Sequence, residues 1–231
     1  MPPDTPQVEL WSHFQTVRPE AFRGAAKRLD SLIRLAEKHS HGRSLLNIGC
    51  GDGYLERSAQ QRNWSVVSVD PDAKSVAALK ARGIDARCGR IESLPVESDS
   101  LDVVLCTEVL EHLTPESLEA GLAEIRRVLK PAGLLIGTVP YRENLVENEV
   151  FCPDCRKTFH RWGHHQSFDE ARLASLLGTH FEVRSVRPRY FPTWSMYNWK
   201  ARLLWSARYA FALFGNYGRD ANLLFMAAKR G

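Results

Sequence analysis

No stretch of the chain contains the run of about 18 apolar residues that a membrane-spanning helix needs. The opening Met1-Pro2-Pro3-Asp4 leads into neither a basic nor an apolar segment, so no secretory signal peptide is expected. Cysteine is scarce and odd in number, with five residues in 231, which argues against a secreted disulfide framework. These absences predict a cytoplasmic protein in which Cys50, Cys88 and Cys106 are buried, reduced thiols.

Acidic residues are almost absent from the C-terminal part of the chain. Residues 184–231 hold nine Lys and Arg against the single acid Asp220, whereas residues 1–183 hold 22 bases and 26 acids. The net charge of +4 therefore conceals a basic end that is informative about partners. With 44% hydrophobic residues, the chain is long enough for one α/β domain with insertions.

Three glycines at alternate positions follow a short apolar run. The stretch reads Leu45-Leu46-Asn47-Ile48-Gly49-Cys50-Gly51-Asp52-Gly53, and a second apolar run ends at Asp70-Pro71-Asp72. This order predicts a strand, a tight turn with accessible backbone N–H groups, a helix, and a strand ending in a carboxylate that can bind ribose hydroxyls. A dinucleotide site wants a further glycine where Tyr54 stands, so that interpretation is disfavoured.

The spacing of Gly49, Gly51 and Gly53 resembles motif I of the class I S-adenosylmethionine (SAM)-dependent methyltransferases. The segments EVLEHL (108–113) and RVLKPAGLLIGTVP (127–140) resemble the type 11 branch, which contains the ubiquinone and menaquinone biosynthesis methyltransferases. This resemblance covers residues 45–140. It implies an α/β fold, a Rossmann-like doubly wound sheet of seven strands, mostly parallel with an antiparallel last strand and with helices on both faces.

The resemblance also implies which residues bind SAM. Asn47 stands where the family usually has an acid, and Arg90 stands where many members have Asp, so a neutral contact and backbone contacts replace two charged ones. The predicted cofactor-binding residues are Asn47, Gly49, Cys50, Gly51, Gly53, Asp70, Pro71, Arg90, Ile91 and Thr107.

The expected organisation has two parts. Residues 1–44 are predicted to form a polar leader (1–18) and a helix that runs from near Pro19 to about His39. The resemblance implies that this helix caps the cofactor; packing on the core is the alternative, and both can hold. Residues 45–231 are predicted to form the methyltransferase domain, with insertions at 142–166 and 191–221.

Glu108, Glu111 and His112 follow the fourth predicted strand, at the edge where open α/β sheets bind ligands. On a helical turn, positions i, i+3 and i+4 share a face, so the three side chains would converge. Some members of the resembled family hold a divalent cation with such an element, which implies a Mg²⁺ site; the alternative is a metal-free helix start. His112, Glu108 and Tyr141 are the candidate general bases for a hydroxyl acceptor.

The first insertion contains Cys152, Cys155, His160 and His164, in the order C-x2-C-x4-H-x3-H. This spacing favours a tetrahedral structural Zn²⁺ site that pins an insertion without a core of its own, with His165 able to replace His164. A redox CxxC pair and incidental surface histidines are the alternatives, although the helix context of a thioredoxin-like pair is missing.

The second insertion is rich in aromatic residues, with Lys200, Arg202 and Arg208 among them. A helical stripe is formed by Met196, Trp199, Leu203, Ala207, Ala210 and Phe214. The segment is either a lid helix packed on its own domain or an interfacial helix on an anionic membrane surface, which would place the protein at the inner face of the membrane. Stacking on RNA ranks last because no RNA-binding motif accompanies it, so a nucleic-acid partner is not expected.

Three functions fit these patterns. The first is a SAM-dependent methyltransferase acting on a small-molecule acceptor, a hydroxyl on a lipid-linked or glycan-pathway substrate. The second is an RNA 2′-O-methyltransferase that uses a divalent cation and binds RNA in a salt-sensitive way. The third is a non-catalytic, zinc-stapled module that binds a partner.

Overall fold

The computed structural model describes residues 24–194, 197–218 and 220–230. The predicted leader and the predicted helix start near Pro19 lie outside the described residues. Helix α1 spans Ala26–His39, and its buried residues Leu32, Ile33 and Ala36 recur at helical spacing. The described part of the cap helix is therefore amphipathic.

Seven strands form the central sheet. They are β1 Ser44–Ile48, β2 Ser65–Asp70, β3 Asp85–Cys88, β4 Leu101–Thr107, β5 Leu129–Pro140, β8 Phe181–Arg189 and β9 Asn222–Lys229. Their order is β3-β2-β1-β4-β5-β9-β8; β9 pairs antiparallel with both β5 and β8, and the other pairs are parallel. The predicted Rossmann-like α/β fold with an antiparallel last strand is confirmed.

Helices cover both faces of this sheet. The helices that follow α1 are α2 Tyr54–Gln60, α3 Ala73–Lys80, α4 Pro115–Val128, α5 Glu170–His180 and α6 Trp199–Ala212. Alternate residues of β4 enter different apolar clusters: Val104 and Cys106 pack with α4 and α5, whereas Val103 and Leu105 pack with α1 and α2. The sheet is thus buried on both sides, as the continuous apolar character of its strands indicated.

The first insertion contains a separate hairpin. Strands β6 Glu149–Phe151 and β7 Thr158–His160 pair antiparallel after a 3₁₀ turn over Val146–Asn148. No helix among the described residues is long and apolar enough to cross a bilayer. Cys50 and Cys106 are buried as predicted, but Cys88 is exposed because it ends β3, the edge strand of the sheet.

Candidate functional site

A cavity of about 1430 Å³ opens at the carboxyl ends of β1, β2 and β4, the position expected of a ligand site in an open α/β sheet. It is lined by the glycine turn, the loops after β2, β3 and β4, and the first insertion. All the predicted cofactor residues except Gly53 belong to its wall. Gly53 instead precedes α2 with a φ of 75°, so its predicted contact is corrected: it lets the chain enter the helix.

The Asp70 carboxylate fastens the glycine turn to the end of β2. One of its oxygens accepts a hydrogen bond from the Cys50 N–H and the other from the Asp72 N–H, both at 2.8 Å. Asp70 is buried and lines the cavity. Its carboxylate is therefore fixed in the wall where ribose recognition is expected.

The Asn47 amide is oriented by two acceptors. Its Nδ2 donates to the Gly49 carbonyl at 2.9 Å and to Glu56 Oε1 at 2.7 Å. Both amide hydrogens are then used, and the buried Oδ1 has no hydrogen-bond partner among the described residues. Asn47 thus brings an unpaired acceptor to the cavity wall.

Glu56 lies behind Asn47 and is fully buried. Its carboxylate also accepts a hydrogen bond from Ser68 Oγ. Burial raises the pKa of this carboxyl, against the opposing effect of the hydrogen bonds from Ser68 and Asn47. The acid that the family usually places at position 47 is thus absent there, but an acidic side chain contacts Asn47 from the neighbouring helix.

Arg28 is a site residue that the sequence reasoning missed. It lies on α1, lines the cavity, and places a guanidinium nitrogen 3.5 Å from Glu108 Oε2. Its Nε is buried and has no hydrogen-bond partner in the described ranges. The signal was present in the sequence, since Arg28 lies one helical turn before the apolar Leu32 and therefore on the same face of the helix.

Glu108 does not share a helical turn with Glu111 and His112. Its φ is 54°, and the 3₁₀ turn covers only Leu110–His112. The Glu108 carboxylate accepts hydrogen bonds from Thr138 Oγ1 at 2.9 Å and Asn222 Nδ2 at 3.1 Å. The predicted convergence is therefore wrong, because the left-handed backbone at Glu108 directs this side chain to β5 and β9 instead.

A different group does converge on the cavity wall. Glu111, His112 and His164 place potential ligand atoms within 4.8 Å of one another. Glu111 is 1% exposed, and neither of its carboxylate oxygens has a hydrogen-bond partner among the described residues. Burial, reinforced by the charge of Glu108, raises the pKa of Glu111 well above its usual range. Because an unpartnered buried carboxyl is costly, the group fits a cation that would satisfy both oxygens.

Each of the two imidazoles places its Nδ1 near an oxygen atom. His112 Nδ1 lies 3.3 Å from the Gly163 carbonyl, and His164 Nδ1 lies 2.5 Å from Glu143 Oε2. When Nδ1–H donates to an oxygen, Nε2 is the unprotonated nitrogen that can bind a metal. Burial and the nearby His164 lower the pKa of His112 to about 3, so its ring is neutral.

The predicted zinc ligands are not brought together. Cys152 and Cys155 lie at the tip of the β6–β7 hairpin, whereas His160 pairs with Glu149 three residues back from Cys152. Three residues of strand separate the backbones of Cys152 and Glu149, the partner of His160, by about 10 Å. Neither cysteine belongs to a group of potential metal ligands in the part of the chain that the structure describes.

The histidines of that prediction lie against an acid instead. His160 Nε2 is 3.3 Å from Glu143 Oε1 but is not aligned for a hydrogen bond, and Glu143, His160 and His164 form a second group within 4.8 Å. His165, the predicted substitute for His164, donates its backbone N–H to the Glu111 carbonyl at 2.7 Å. Three histidines of the insertion thus line the cavity together with Glu111.

Tyr141 is set apart from the cavity wall that the described residues form. Its hydroxyl donates to Glu170 Oε1 at 3.1 Å, and its ring packs edge-on against Tyr217. Burial and the Glu170 carboxylate raise the pKa of this phenol. The prediction of Tyr141 as a general base is therefore wrong, because the side chain is used to join β5 to α5.

Known proteins resemble the chain in this region. A protein-family model described as a methyltransferase domain matches residues 46–137. A ubiquinone biosynthesis O-methyltransferase of Bradyrhizobium sp. is 39% identical over 126 residues, which cover 52% of this chain and 47% of the relative. The corresponding protein of Nitrobacter winogradskyi is 30% identical over 180 residues, covering 73% and 64%. The chain spans about half the length of several curated relatives that it matches.

The fold is shared with more distant proteins. The 1,6-didemethyltoxoflavin-N1-methyltransferase of Burkholderia thailandensis, solved with S-adenosylhomocysteine, superposes with a TM-score of 0.68 at 19% identity, covering 100% of this chain and 93% of that one. Identity at this level shows the fold alone. The sequence matches, by contrast, identify residues 46–137 as a methyltransferase domain and support membership of the class I SAM-dependent methyltransferase family.

Proposed function

We propose that the chain is a SAM-dependent O-methyltransferase that uses a divalent cation and methylates a hydroxyl of a small molecule. The observation that carries this proposal is that the glycine turn and the Glu111–His112–His164 group line one cavity. Transfer from a sulfonium requires chiefly alignment and exclusion of water, but a weakly acidic hydroxyl must also lose a proton. A cation held by Glu111, His112 and His164 would lower the pKa of a hydroxyl bound to it.

The chain's own residues provide the contacts for the cofactor. Asp70 would bind the ribose hydroxyls, and the backbone of Arg90 and Ile91 would hold the adenine. Asn47 would accept from the ammonium of the methionine part, and the Arg28 guanidinium would pair with its carboxylate. The two charged ends of an amino acid thus meet an acceptor and a donor.

The remaining predicted bases have other roles in this proposal. His112 is a cation ligand rather than a base in this proposal, since it belongs to the group with Glu111 and His164. Glu108 contacts Arg28, Thr138 and Asn222. It therefore connects α1 to β5 and β9.

A small acceptor suits the wall better than RNA does. Acidic residues outnumber arginines in the cavity wall, which disfavours a polyanion. The acids are Asp52, Asp70, Asp72, Glu92, Glu108, Glu111 and Glu149, against Arg28 and Arg90. The insertion adds Leu145, Phe159 and Trp162, which suit an acceptor with an apolar part such as a lipid-linked one. The names of the ubiquinone-pathway relatives also favour a hydroxyl over a nitrogen acceptor.

The test is methyl transfer from SAM to hydroxylated aromatic, lipid-linked and glycan acceptors. Activity should disappear with EDTA and return with Mg²⁺ or Mn²⁺. Glu111→Gln should reduce it roughly 100-fold or more, because the anionic ligand is lost. Glu147→Gln changes an exposed acid of the same insertion and should leave activity unchanged.

Two results would contradict the proposal. One is transfer that persists in EDTA or in Glu111→Gln. The other is the absence of SAM binding by folded protein in calorimetry, with Asp70→Ala as the variant in which binding should be lost. The first result would contradict the role of the cation but not the methyltransferase activity. The second would favour the non-catalytic partner-binding function.

A further inference from the structure

Helix α6 presents its larger apolar side chains to solvent. Trp199 is 71% exposed, Leu203 66% and Phe214, just past the helix, 82%. These belong to the stripe that the sequence predicted; its first member, Met196, lies outside the described residues. The opposite face, with Ala201, Trp205 and Ala212, is the half-buried one. The helix therefore packs on the described part of the domain through the face opposite the stripe.

The helix is held in this orientation by an aromatic cluster. The Trp205 ring packs edge-on against Tyr190 at 5.3 Å and stacks on Tyr197 at 5.6 Å. The Tyr209 hydroxyl donates to the Tyr190 carbonyl at 3.2 Å. Trp205 and Ala212 also pack against the main apolar cluster of the domain. Because the inner face is engaged in this way, the outer stripe remains outside the fold.

The charges around the stripe have one sign. Residues 199–214 contain Lys200, Arg202 and Arg208 but no acid, and Arg208 pairs with Asp220. At 100° per residue, Lys200 and Arg202 lie on the two borders of a stripe centred on Leu203. Their long side chains can cover apolar surface while their charged ends reach a polar layer.

We infer that the α6 stripe, with Lys200 and Arg202, docks on the surface of a membrane that contains anionic lipid. Large apolar side chains flanked by cations match the boundary between acyl chains and negative headgroups. A second copy of the chain is a poorer occupant, because pairing two such faces brings the same cations together with no acid between them. The inference goes beyond the proposed methyl transfer and does not depend on it.

Vesicle flotation tests this docking with the full chain and without cofactor or acceptor. Binding should be strong to vesicles containing phosphatidylglycerol, weak to phosphatidylcholine alone, and weakened by salt. Lys200→Gln/Arg202→Gln should bind roughly 30-fold more weakly, the effect expected for two lost charges. Leu203→Ser/Phe214→Ser should abolish binding at the same protein concentration.

Matched controls replace comparable residues elsewhere on the surface. Val146→Ser removes an exposed apolar side chain of the first insertion, and Lys74→Gln/Lys80→Gln removes two exposed charges of α3; both should bind like the wild type. Circular dichroism confirms that each variant is folded. No binding by folded wild type, equal binding to neutral vesicles, or a dimer that disappears in Leu203→Ser/Phe214→Ser without vesicle binding would each overturn the inference.

Discussion

Glu143 Oε2 lies 2.5 Å from His164 Nδ1, and this contact orients a ring that also belongs to the group with Glu111 and His112. A carboxylate behind a ligating imidazole raises its basicity and holds its orientation. Glu143→Gln leaves a neutral acceptor in the same place, so Mn²⁺ affinity should fall about 10- to 100-fold. Titration calorimetry with Mn²⁺ measures this directly, without acceptor or SAM.

The control for this variant lies in the same segment. Glu147→Gln removes an exposed charge from the same insertion and should change Mn²⁺ affinity by less than about twofold, since exposed charges are strongly screened. Equal affinities of wild type and Glu143→Gln would mean that His164 is not held by Glu143 for cation binding.

Glu56 should make stability depend on pH. Burial raises the pKa of its carboxyl in the folded protein, so the folded state keeps its proton at a pH where the unfolded chain, with a pKa of about 4.3, has lost it. The wild type therefore loses stability as pH rises from the unfolded value through the folded one. Glu56→Gln lacks this titration. The unfolding free energy of the variant minus that of the wild type should therefore increase from about pH 4 towards neutrality.

Urea unfolding of both proteins across this pH range is the measurement. Glu97→Gln, at an exposed acid far from the glycine turn, supplies the comparison and should show no growing difference. A difference between wild type and Glu56→Gln that stays constant with pH would show that this carboxyl does not titrate differently on folding.

The parts of the site that the sequence predicted are formed by residues that are close together in the sequence. The glycine turn, Asp70 and the loop at Arg90 and Ile91 follow strands whose apolar runs fix their ends at one sheet edge. Local spacing is sufficient there, because each loop is short and its strand defines where it begins.

The rest depended on backbone turns and on distant segments. Glu108 takes a left-handed conformation that is uncommon for residues other than glycine, so helical spacing misplaced its carboxylate. The C-x2-C-x4-H-x3-H count treats the chain as a flexible loop, but β6 and β7 pair and separate the cysteines from His160. Glu143 reaches His164 across 21 positions in the sequence, a relationship that no local pattern contains.

Arg28 should contribute to cofactor affinity. Its buried Nε has no partner within the described residues, and the side chain lines the cavity beside Glu108. A charge-assisted hydrogen bond to a carboxylate is worth about 1.5–3 kcal/mol, so Arg28→Gln should weaken binding of S-adenosylhomocysteine roughly 10- to 100-fold. Calorimetric titration gives the dissociation constant of each protein.

Arg34→Gln tests whether the effect is specific. Arg34 is exposed on the same helix, so its replacement removes the same charge without touching the cavity and should leave affinity within about twofold. An Arg28→Gln variant that binds as tightly as Arg34→Gln would show that the guanidinium serves only to pair with Glu108.

Gly137 sets the spacing of the sheet beneath the cavity. It lies in β5 between Cys106 of β4 and Phe225 of β9, and a Cβ there would overlap the Cys106 carbonyl and the Phe225 ring. The carbonyl cannot move aside without breaking the β4–β5 pairing. Gly137→Ala should therefore lower the unfolding free energy by about 3 kcal/mol, the upper range for overpacking.

Gly178 in α5 offers the matched substitution, because a Cβ there meets no atom within 4 Å among the described residues. Gly178→Ala should stabilise the protein by up to about 1 kcal/mol, since alanine loses less backbone freedom in a helix. Urea denaturation compares both variants with the wild type. A Gly137→Ala protein as stable as the wild type would contradict this. It would mean that β4 and β5 can move apart at this point, and that Thr107 and Thr138 can move apart with them.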